Sequence, residues 1–229
     1  MRANISKMII DDFLIAYCEA HTSPEPPVLA KLNRETHLSQ GYPQMLSGHL
    51  QGTLLRMICQ MIRPNRVLEI GTFTGYSAIA MGLGMTPPLA PPQKGRGGAL
   101  LHTVEINPEL EDGIRKYISE AGLEDRIILH IGEALEIIAT MDEDWDLVFI
   151  DADKPNYLNY YNAVLPRVKQ GGFIIADNVL WDGKVTADRT KMDKDTRGIV
   201  EFNEFVQNDE RVENLMLPVR DGLSIIRKR

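Results

Sequence analysis

From residue 66 onward, short apolar runs alternate with longer stretches of helical character. Five strands joined by helical crossovers of this length form a parallel sheet covered by helices on both faces. This alternation predicts an α/β fold. The five runs are RVLEIG, LLHTVEI, RIILHIG, DLVFID and GGFIIAD, all between residues 66 and 177.

The ends of the chain complete this outline. NLMLPVR and DGLSIIRKR flank a turn around Asp221-Gly222 and predict a C-terminal antiparallel hairpin. Residues 1–65 are predicted to be a helical N-terminal cap on an α/β core at 66–229, within a single domain 1–229. Residues 47–62 are predicted to bury one apolar helical stripe. The stripe consists of Leu50, Leu54, Met57, Ile58, Met61 and Ile62.

One segment fits neither strand nor helix. Residues 86–99, TPPLAPPQKGRGGA, are rich in proline and glycine. Such a sequence favours no regular structure, so an exposed, mobile loop inserted into the crossover is expected.

Charge and hydropathy exclude several classes of function. The net charge is −7, and no run of five or more Lys and Arg is present, which argues against a nucleic-acid binder. No apolar run reaches the roughly 18 residues that span a bilayer, so no membrane association is expected. Asp11 and Asp12 interrupt the first apolar segment, which is therefore not read as a signal peptide, and a cytoplasmic location is expected.

The turn LEIGTFTGYS, residues 68–77, connects the first strand to the next helix. Gly71 and Gly75 permit tight backbone geometry, and ligands of open parallel sheets bind beyond the carboxyl ends of the strands. The turn lacks the middle glycine of a dinucleotide fingerprint. Glu69 would repel a pyrophosphate and would suit a cationic group such as an ammonium. The turn therefore predicts a ligand site of another kind.

A second acid, Glu105, ends the next strand in HTVEIN. An acid in this position is placed to accept hydrogen bonds from ribose hydroxyls. It follows Gly75 by 30 positions, more than the usual roughly 20, and the 86–99 segment accounts for the excess. A nucleoside without a pyrophosphate, beside a group that holds an ammonium, indicates S-adenosylmethionine rather than NAD.

The order and spacing of these motifs resemble the cation-dependent O-methyltransferase family, the group of caffeoyl-CoA and catechol O-methyltransferases. The chain is identified as a bacterial-type member from about Gln44 to the C-terminus. The resemblance implies a Rossmann-like methyltransferase fold, with a mostly parallel seven-stranded sheet, a C-terminal antiparallel hairpin and helices on both faces. It also implies a homodimer. The motifs are MLSGHLQG, LEIGTFTGYS, HTVEIN, GEALE, FIDADKPNYLNYY, IIADNVLWDGKV and DTRGIVEFNEFV.

The resemblance also implies roles for matching positions. The residues expected to bind S-adenosylmethionine are Ser47, Glu69, Gly71, Thr72, Ser77, Glu105, Ala134 and Asp153. The residues expected to bind a divalent cation are Asp151, Asp177 and Asn178.

The residues support the cation site on physical grounds as well. Asp151 ends one apolar strand, and Asp177-Asn178 end the strand expected to lie beside it. Three oxygen donors from adjacent strand ends suit Mg²⁺, Mn²⁺ or Ca²⁺. The absence of His and Cys from this set argues against zinc.

These assignments lead to a hypothesis for catalysis by Lys154 and Asp151. The cation chelates two vicinal oxygens of an aromatic diol, and Lys154 takes up the proton or stabilises the phenolate, which attacks the sulfonium methyl. Trp181 and Asp182, in the polar segment 179–195, are the expected substrate contacts. Plant members usually carry Asn at the position of Asp182, where it touches the substrate.

Three other interpretations remain open at this level. Asp151-Ala152-Asp153 is also a D-x-D motif of metal-dependent nucleotide-sugar glycosyltransferases, although the acidic turn at Glu69 disfavours a diphosphate. A Rossmann dehydrogenase is disfavoured by the missing glycine. A non-catalytic Rossmann-like binding or dimerisation protein is the third.

Overall fold

The computed structural model describes residues 12–85 and 98–229 of the 229-residue chain. Seven strands form one sheet in the order β3-β2-β1-β4-β5-β7-β6. β1 to β5 are parallel, and β7 runs antiparallel to both β5 and β6. The strands are β1 Arg66–Ile70, β2 Leu100–Glu105, β3 Ile127–Ile131, β4 Trp145–Ile150, β5 Val168–Asp177, β6 Val212–Leu217 and β7 Leu223–Lys228. The predicted fold class is confirmed.

Helices cover the sheet on both faces. α2 to α5 contribute to one buried apolar cluster, and α6 to α8 contribute to a second one. In the described ranges, no helix is long and apolar enough to cross a membrane. The helices are α1 Asp12–Ala20, α2 Pro27–Ser39, α3 Gly48–Ile62, α4 Tyr76–Gly84, α5 Glu111–Glu120, α6 Ala134–Thr140, α7 Tyr157–Val164 and α8 Lys194–Gln207.

The central strands are continuous apolar runs because helices cover both faces of the sheet. Val67 and Leu68 of β1 point to opposite faces of the sheet, and both are fully buried. A strand buried on both faces is a continuous apolar run rather than an alternating one. The prediction of a loop at 86–99 falls outside the described residues except for Gly98 and Ala99.

The buried face of α3 differs from the predicted stripe. Met57 and Met61 are 51% and 71% exposed, so the prediction is wrong at these two positions. The cause is the contact with α4, where a Cβ atom on Gly52 would lie 2.5 Å from the Tyr76 ring. This close approach turns the glycine-bearing face inward. The buried residues of α3 are Gln51, Gly52, Leu55, Ile58 and Cys59.

The strand order places a crevice at one edge of the sheet. β1 lies between β2 and β4, so the chain leaves β1 in one direction and later returns to its other side. In an open parallel sheet, ligands bind outside the carboxyl ends of the strands at this reversal. The turns after β1, β2, β4 and β5 meet there.

Candidate functional site

A cavity of about 680 Å³ opens at this edge of the sheet. It is lined by all the predicted site residues except Glu69 and Asp182. The predicted residues that line it are Ser47, Gly71, Thr72, Ser77, Glu105, Ala134, Asp151, Asp153, Lys154, Asp177, Asn178 and Trp181. Residues far apart in sequence are thus brought to one site.

The glycine turn after β1 packs directly against the end of β4. Gly71 has φ +98°, and a Cβ atom there would lie 2.1 Å from the Asp151 carbonyl oxygen. The Gly71 amide donates to the Val104 carbonyl over 3.0 Å, and the Asp151 amide donates to the Ile70 carbonyl over 2.8 Å. Only glycine accommodates both the positive φ and this contact.

Glu105 is held in a fixed orientation at the end of β2. Its Oε2 accepts from the Phe73 amide over 2.7 Å, and its Oε1 accepts from the Asn107 amide over 2.9 Å. A carboxylate oxygen accepts more than one hydrogen bond. Both oxygens therefore keep acceptor capacity for a ligand hydroxyl.

Glu69 lies behind the glycine turn and is absent from the cavity wall. It is fully buried, and its Oε2 accepts from the Thr103 hydroxyl over 2.5 Å. Burial raises the pKa of its carboxyl to about 8. Glu69 thus supports the turn from within the sheet, and its contact with a ligand ammonium stays a prediction.

The ammonium of Lys154 bridges two of the predicted cation ligands. Its Nζ donates to Asp151 Oδ1 over 3.1 Å and to Asn178 Oδ1 over 2.9 Å. A third hydrogen bond of 2.6 Å runs to the hydroxyl of Tyr157, which donates its own proton to the Asp177 carbonyl. Lys154 itself is only 8% exposed.

The Asp177 carboxylate is buried beside this cluster. Its Oδ2 accepts from Gln51 Nε2 over 2.6 Å, and its Oδ1 accepts from the Asn178 amide over 2.7 Å. Burial, followed by the charge of Asp151, raises the pKa of Asp177. Two mutually repelling carboxylates in one cavity favour a positive partner.

This donor set fits a hard divalent cation. No group of three or more His, Cys, Asp or Glu side chains in residues 12–85 and 98–229 is arranged to hold a metal ion. The predicted set is of another kind, because its third member, Asn178, supplies an amide oxygen. Carboxylate and amide oxygens are the ligands that Mg²⁺ and Ca²⁺ prefer.

The segment after β5 has unusual backbone geometry. Asn178, Trp181 and Asp182 all have φ values between +47° and +54°. Residues held in this region cluster at functional sites, because the surrounding structure has to enforce them. The Trp181 ring lines the cavity, with its centroid 5.6 Å from Lys154 Nζ. Asp182 is exposed, and its amide donates to Asp221 Oδ1 over 2.5 Å.

Among the residues that contact the site but are missing from the sequence-based predictions, three have polar contacts that bear on its chemistry. Gln51 contacts Asp177, Tyr157 contacts Lys154, and Arg220 lines the cavity. Gln51 and Tyr157 lie within the motifs MLSGHLQG and FIDADKPNYLNYY, so a polar residue in a buried segment was an available signal. The position of Arg220 follows only from the docking of the C-terminal hairpin.

Comparisons with known proteins agree with this geometry. Residues 19–229 match the family model described as O-methyltransferase. Caffeoyl-CoA O-methyltransferase 2 of Populus trichocarpa is 34% identical over 233 residues, which cover 96% of this chain and 90% of that protein.

Two solved structures are similar in fold as well as in sequence. The O-methyltransferase from Bacillus cereus in complex with SAH has a TM-score of 0.83 at 27% identity, covering 95% of this chain and 97% of that one. TomG from Streptomyces achromogenes, an O-methyltransferase involved in tomaymycin synthesis, was solved in complex with SAM. Its TM-score is 0.84 at 26% identity, covering 94% of this chain and 96% of that one.

Proposed function

Because this chain belongs to the O-methyltransferase family and is an S-adenosylmethionine-dependent O-methyltransferase, we propose that its acceptor is a catechol-like small molecule. One hydroxyl of a vicinal dihydroxy aromatic ring is methylated, and a divalent cation assists. Family membership sets aside the glycosyltransferase, dehydrogenase and non-catalytic interpretations.

One observation carries the proposal. Asp151, Asp177 and Asn178 place three oxygen donors in the same cavity as the glycine turn. An enzyme that methylates a single isolated hydroxyl does not need such a donor set. A substrate with two vicinal oxygens would use it, because a cation held by three protein oxygens would have coordination positions left for substrate oxygens.

The cofactor end is assigned to the turns after β1 and β2. S-Adenosylmethionine supplies an electrophilic methyl group on its sulfonium. Glu105, held by two backbone amides, accepts from the ribose hydroxyls. Gly71 and Thr72, which line the cavity, are assigned to the methionine part. The other residues assigned to the cofactor are Ser47, Glu69, Ser77, Ala134 and Asp153.

The cation end is assigned to Asp151, Asp177 and Asn178. Mg²⁺, Mn²⁺ or Ca²⁺, if held by these residues, would supply Lewis-acid chemistry that lowers the pKa of a substrate hydroxyl. Lys154 then acts at its Nζ, either by accepting the hydroxyl proton or by stabilising the phenolate as an ammonium. Tyr157 holds Lys154 in place, since its proton is given to the Asp177 carbonyl and its oxygen only accepts from Nζ.

The substrate end is assigned to the segment after β5. Trp181 offers an aromatic wall to a planar acceptor. Asp182 lies outside the cavity lining, so a contact with the acceptor requires a part of the acceptor that extends beyond the cavity.

Radiolabelled methyl transfer tests the proposed function. The panel contains catechols, flavonoids and caffeoyl-CoA, each paired with an analogue in which one of the vicinal hydroxyls is absent. Reactions are run with Mg²⁺ and after EDTA treatment. Methyl transfer is expected for the vicinal diols only, and only in the reactions that contain Mg²⁺. Failure to methylate any vicinal diol, or equal transfer in EDTA, contradicts the proposal.

We also propose that the chain forms a homodimer, as the resemblance implies. The exposed apolar side chains of α1, among them Leu14 and Tyr17, support this. Light scattering coupled to size-exclusion chromatography tests it, and a mass of one chain at all concentrations contradicts it.

A further inference from the structure

Arg220 is an arginine in a backbone conformation that favours glycine. It lies between β6 and β7 with φ +51° and lines the cavity. L-residues enter this left-handed region only at a steric cost, so the surrounding contacts have to maintain it. The contacts of its guanidinium group explain what maintains it.

The guanidinium joins the C-terminal hairpin to the segment that precedes α3. Nη1 donates to the Ser47 carbonyl, and Nη2 donates to the Leu46 carbonyl over 3.1 Å. Leu46 and Ser47 both line the cavity. One side chain from near the C-terminus thus fixes a wall of the cavity formed near the N-terminus.

The same guanidinium also reaches the cation end through Gln51. Nη1 donates to Gln51 Oε1 over 2.9 Å, and Gln51 Nε2 donates to Asp177 Oδ2 over 2.6 Å. A guanidinium only donates hydrogen bonds, and a carboxylate only accepts them. The amide of Gln51, which is fully buried, therefore has one possible orientation.

We propose that Arg220 and Gln51 are positioning residues that couple the two ends of the cavity. Arg220 fixes the Leu46–Ser47 wall beside the cofactor, and through Gln51 it sets the rotation of the Asp177 carboxylate. The second half of this statement rests on the proposed function, which assigns Asp177 to the cation.

Two substitutions distinguish the effect of Arg220 on the Leu46–Ser47 wall from its effect on Asp177. Gln51→Leu removes the link to Asp177 and keeps the bonds from Arg220 to Leu46 and Ser47. Arg220→Lys keeps the charge but loses the planar fork that serves three acceptors. Partners that orient metal ligands change metal affinity by about 10–100-fold when they are removed.

The test measures binding in the absence of an acceptor. Mn²⁺ affinity is measured by electron paramagnetic resonance, and S-adenosylmethionine affinity by calorimetry. Gln51→Leu is expected to weaken Mn²⁺ binding about tenfold and to leave cofactor binding unchanged. Arg220→Lys is expected to weaken both. The double variant is expected to bind Mn²⁺ as the weaker single variant does, since both changes break one chain of hydrogen bonds.

Arg63→Lys is the matched control. Arg63 also has a left-handed backbone, φ +53°, but it is exposed at the end of α3 and does not line the cavity. Its substitution is expected to leave both affinities unchanged. Thermal unfolding checks that each variant is folded. If Arg220→Lys does not fold, Arg220→Gly replaces it, because glycine suits the positive φ.

The outcomes separate the two proposals. Wild-type protein that binds no Mn²⁺ contradicts the proposed function. Wild-type binding of Mn²⁺ together with unchanged Mn²⁺ affinity in folded Gln51→Leu contradicts the coupling alone. Unchanged cofactor affinity in the folded Arg220 variant contradicts the role of Arg220 at the Leu46–Ser47 wall.

Discussion

Lys154 Nζ donates a hydrogen bond to Asn178 Oδ1 over 2.9 Å and so connects the chain after β4 with the chain after β5. The ammonium compensates negative charge that the carboxylates at these strand ends place in the cavity. A divalent cation at the same oxygens would lie close to the ammonium. Like charges at short range disfavour each other, so a cation held there and the Lys154 ammonium would repel each other.

Replacing Lys154 tests its catalytic role. Lys154→Met removes the group that takes up the proton or stabilises the phenolate. Proton transfer by a positioned side chain contributes about 10²–10⁴-fold, so kcat/KM is expected to fall at least 100-fold. Cofactor affinity, measured by calorimetry, is expected to stay unchanged. Lys31→Met is the control, since Lys31 pairs with Glu120 at the surface. A Lys154 variant with near wild-type kcat/KM would show that this lysine only caps the turn.

Replacing Asp151 tests the cation site. Asp151→Ala removes one of two carboxylates assigned to the cation and is expected to abolish Mg²⁺-dependent turnover, with cofactor affinity largely intact. Steady-state rates at increasing Mg²⁺ concentrations and calorimetry measure the two effects. Asp144→Ala, at an exposed position just before β4, serves as the control. Full activity of Asp151→Ala in saturating EDTA contradicts the proposed mechanism.

Adding a methyl group to Gly71 tests the contact between the glycine turn and β4. Gly71→Ala places a Cβ atom 2.1 Å from the Asp151 carbonyl oxygen at a positive φ. The left-handed backbone and the overlap together are expected to lower the free energy of unfolding by about 2–4 kcal/mol. Urea denaturation measures this. Gly113→Ala in α5, where no atom lies within 4 Å of the new Cβ, is expected to stabilise by about 0.5–1 kcal/mol. Equal effects at the two positions contradict the contact.

Glu69 is expected to make stability depend on pH. Its pKa is raised by burial from 4.5 to about 8 in the folded chain. Between these values the unfolded chain releases the proton and the folded chain keeps it. The stabilisation is therefore complete below pH 4.5 and declines as pH rises towards 8, on the order of 1 kcal/mol per pH unit.

The neutral isostere Glu69→Gln isolates this dependence. Urea denaturation of both proteins at intervals from pH 5 to 8 gives the difference between their free energies of unfolding. That difference is expected to shift in favour of the variant as pH rises. A pH-independent difference would mean that Glu69 is ionised in the folded chain.

The sheet was predictable because its strands are buried on both faces. DLVFID, for example, identifies β4 without any knowledge of its neighbours, since a short continuous apolar run between helical segments is typical of a buried parallel strand. The meeting of Asp151 with Asp177 also followed, because parallel strands end at the same edge.

Contacts between distant side chains were not predictable. The face that α3 buries is decided by the approach of Gly52 to Tyr76, and no periodicity within α3 contains that information. Gln51 reaches Asp177 across 126 positions of sequence. The side chain of Glu69 points along the sheet face towards Thr103, which lies 34 positions away in sequence.

The C-terminal hairpin supports the site from outside the strands that carry the predicted cation ligands. β7 lies between β5 and β6, and the carbonyls of Asp221 and Gly222 accept hydrogen bonds from the Leu180 and Val179 amides. All the predicted cation ligands lie before this hairpin, but the residues that hold the segment after β5 in place lie within it. The shape of the site therefore depends on docking of a hairpin that carries none of the predicted cation ligands.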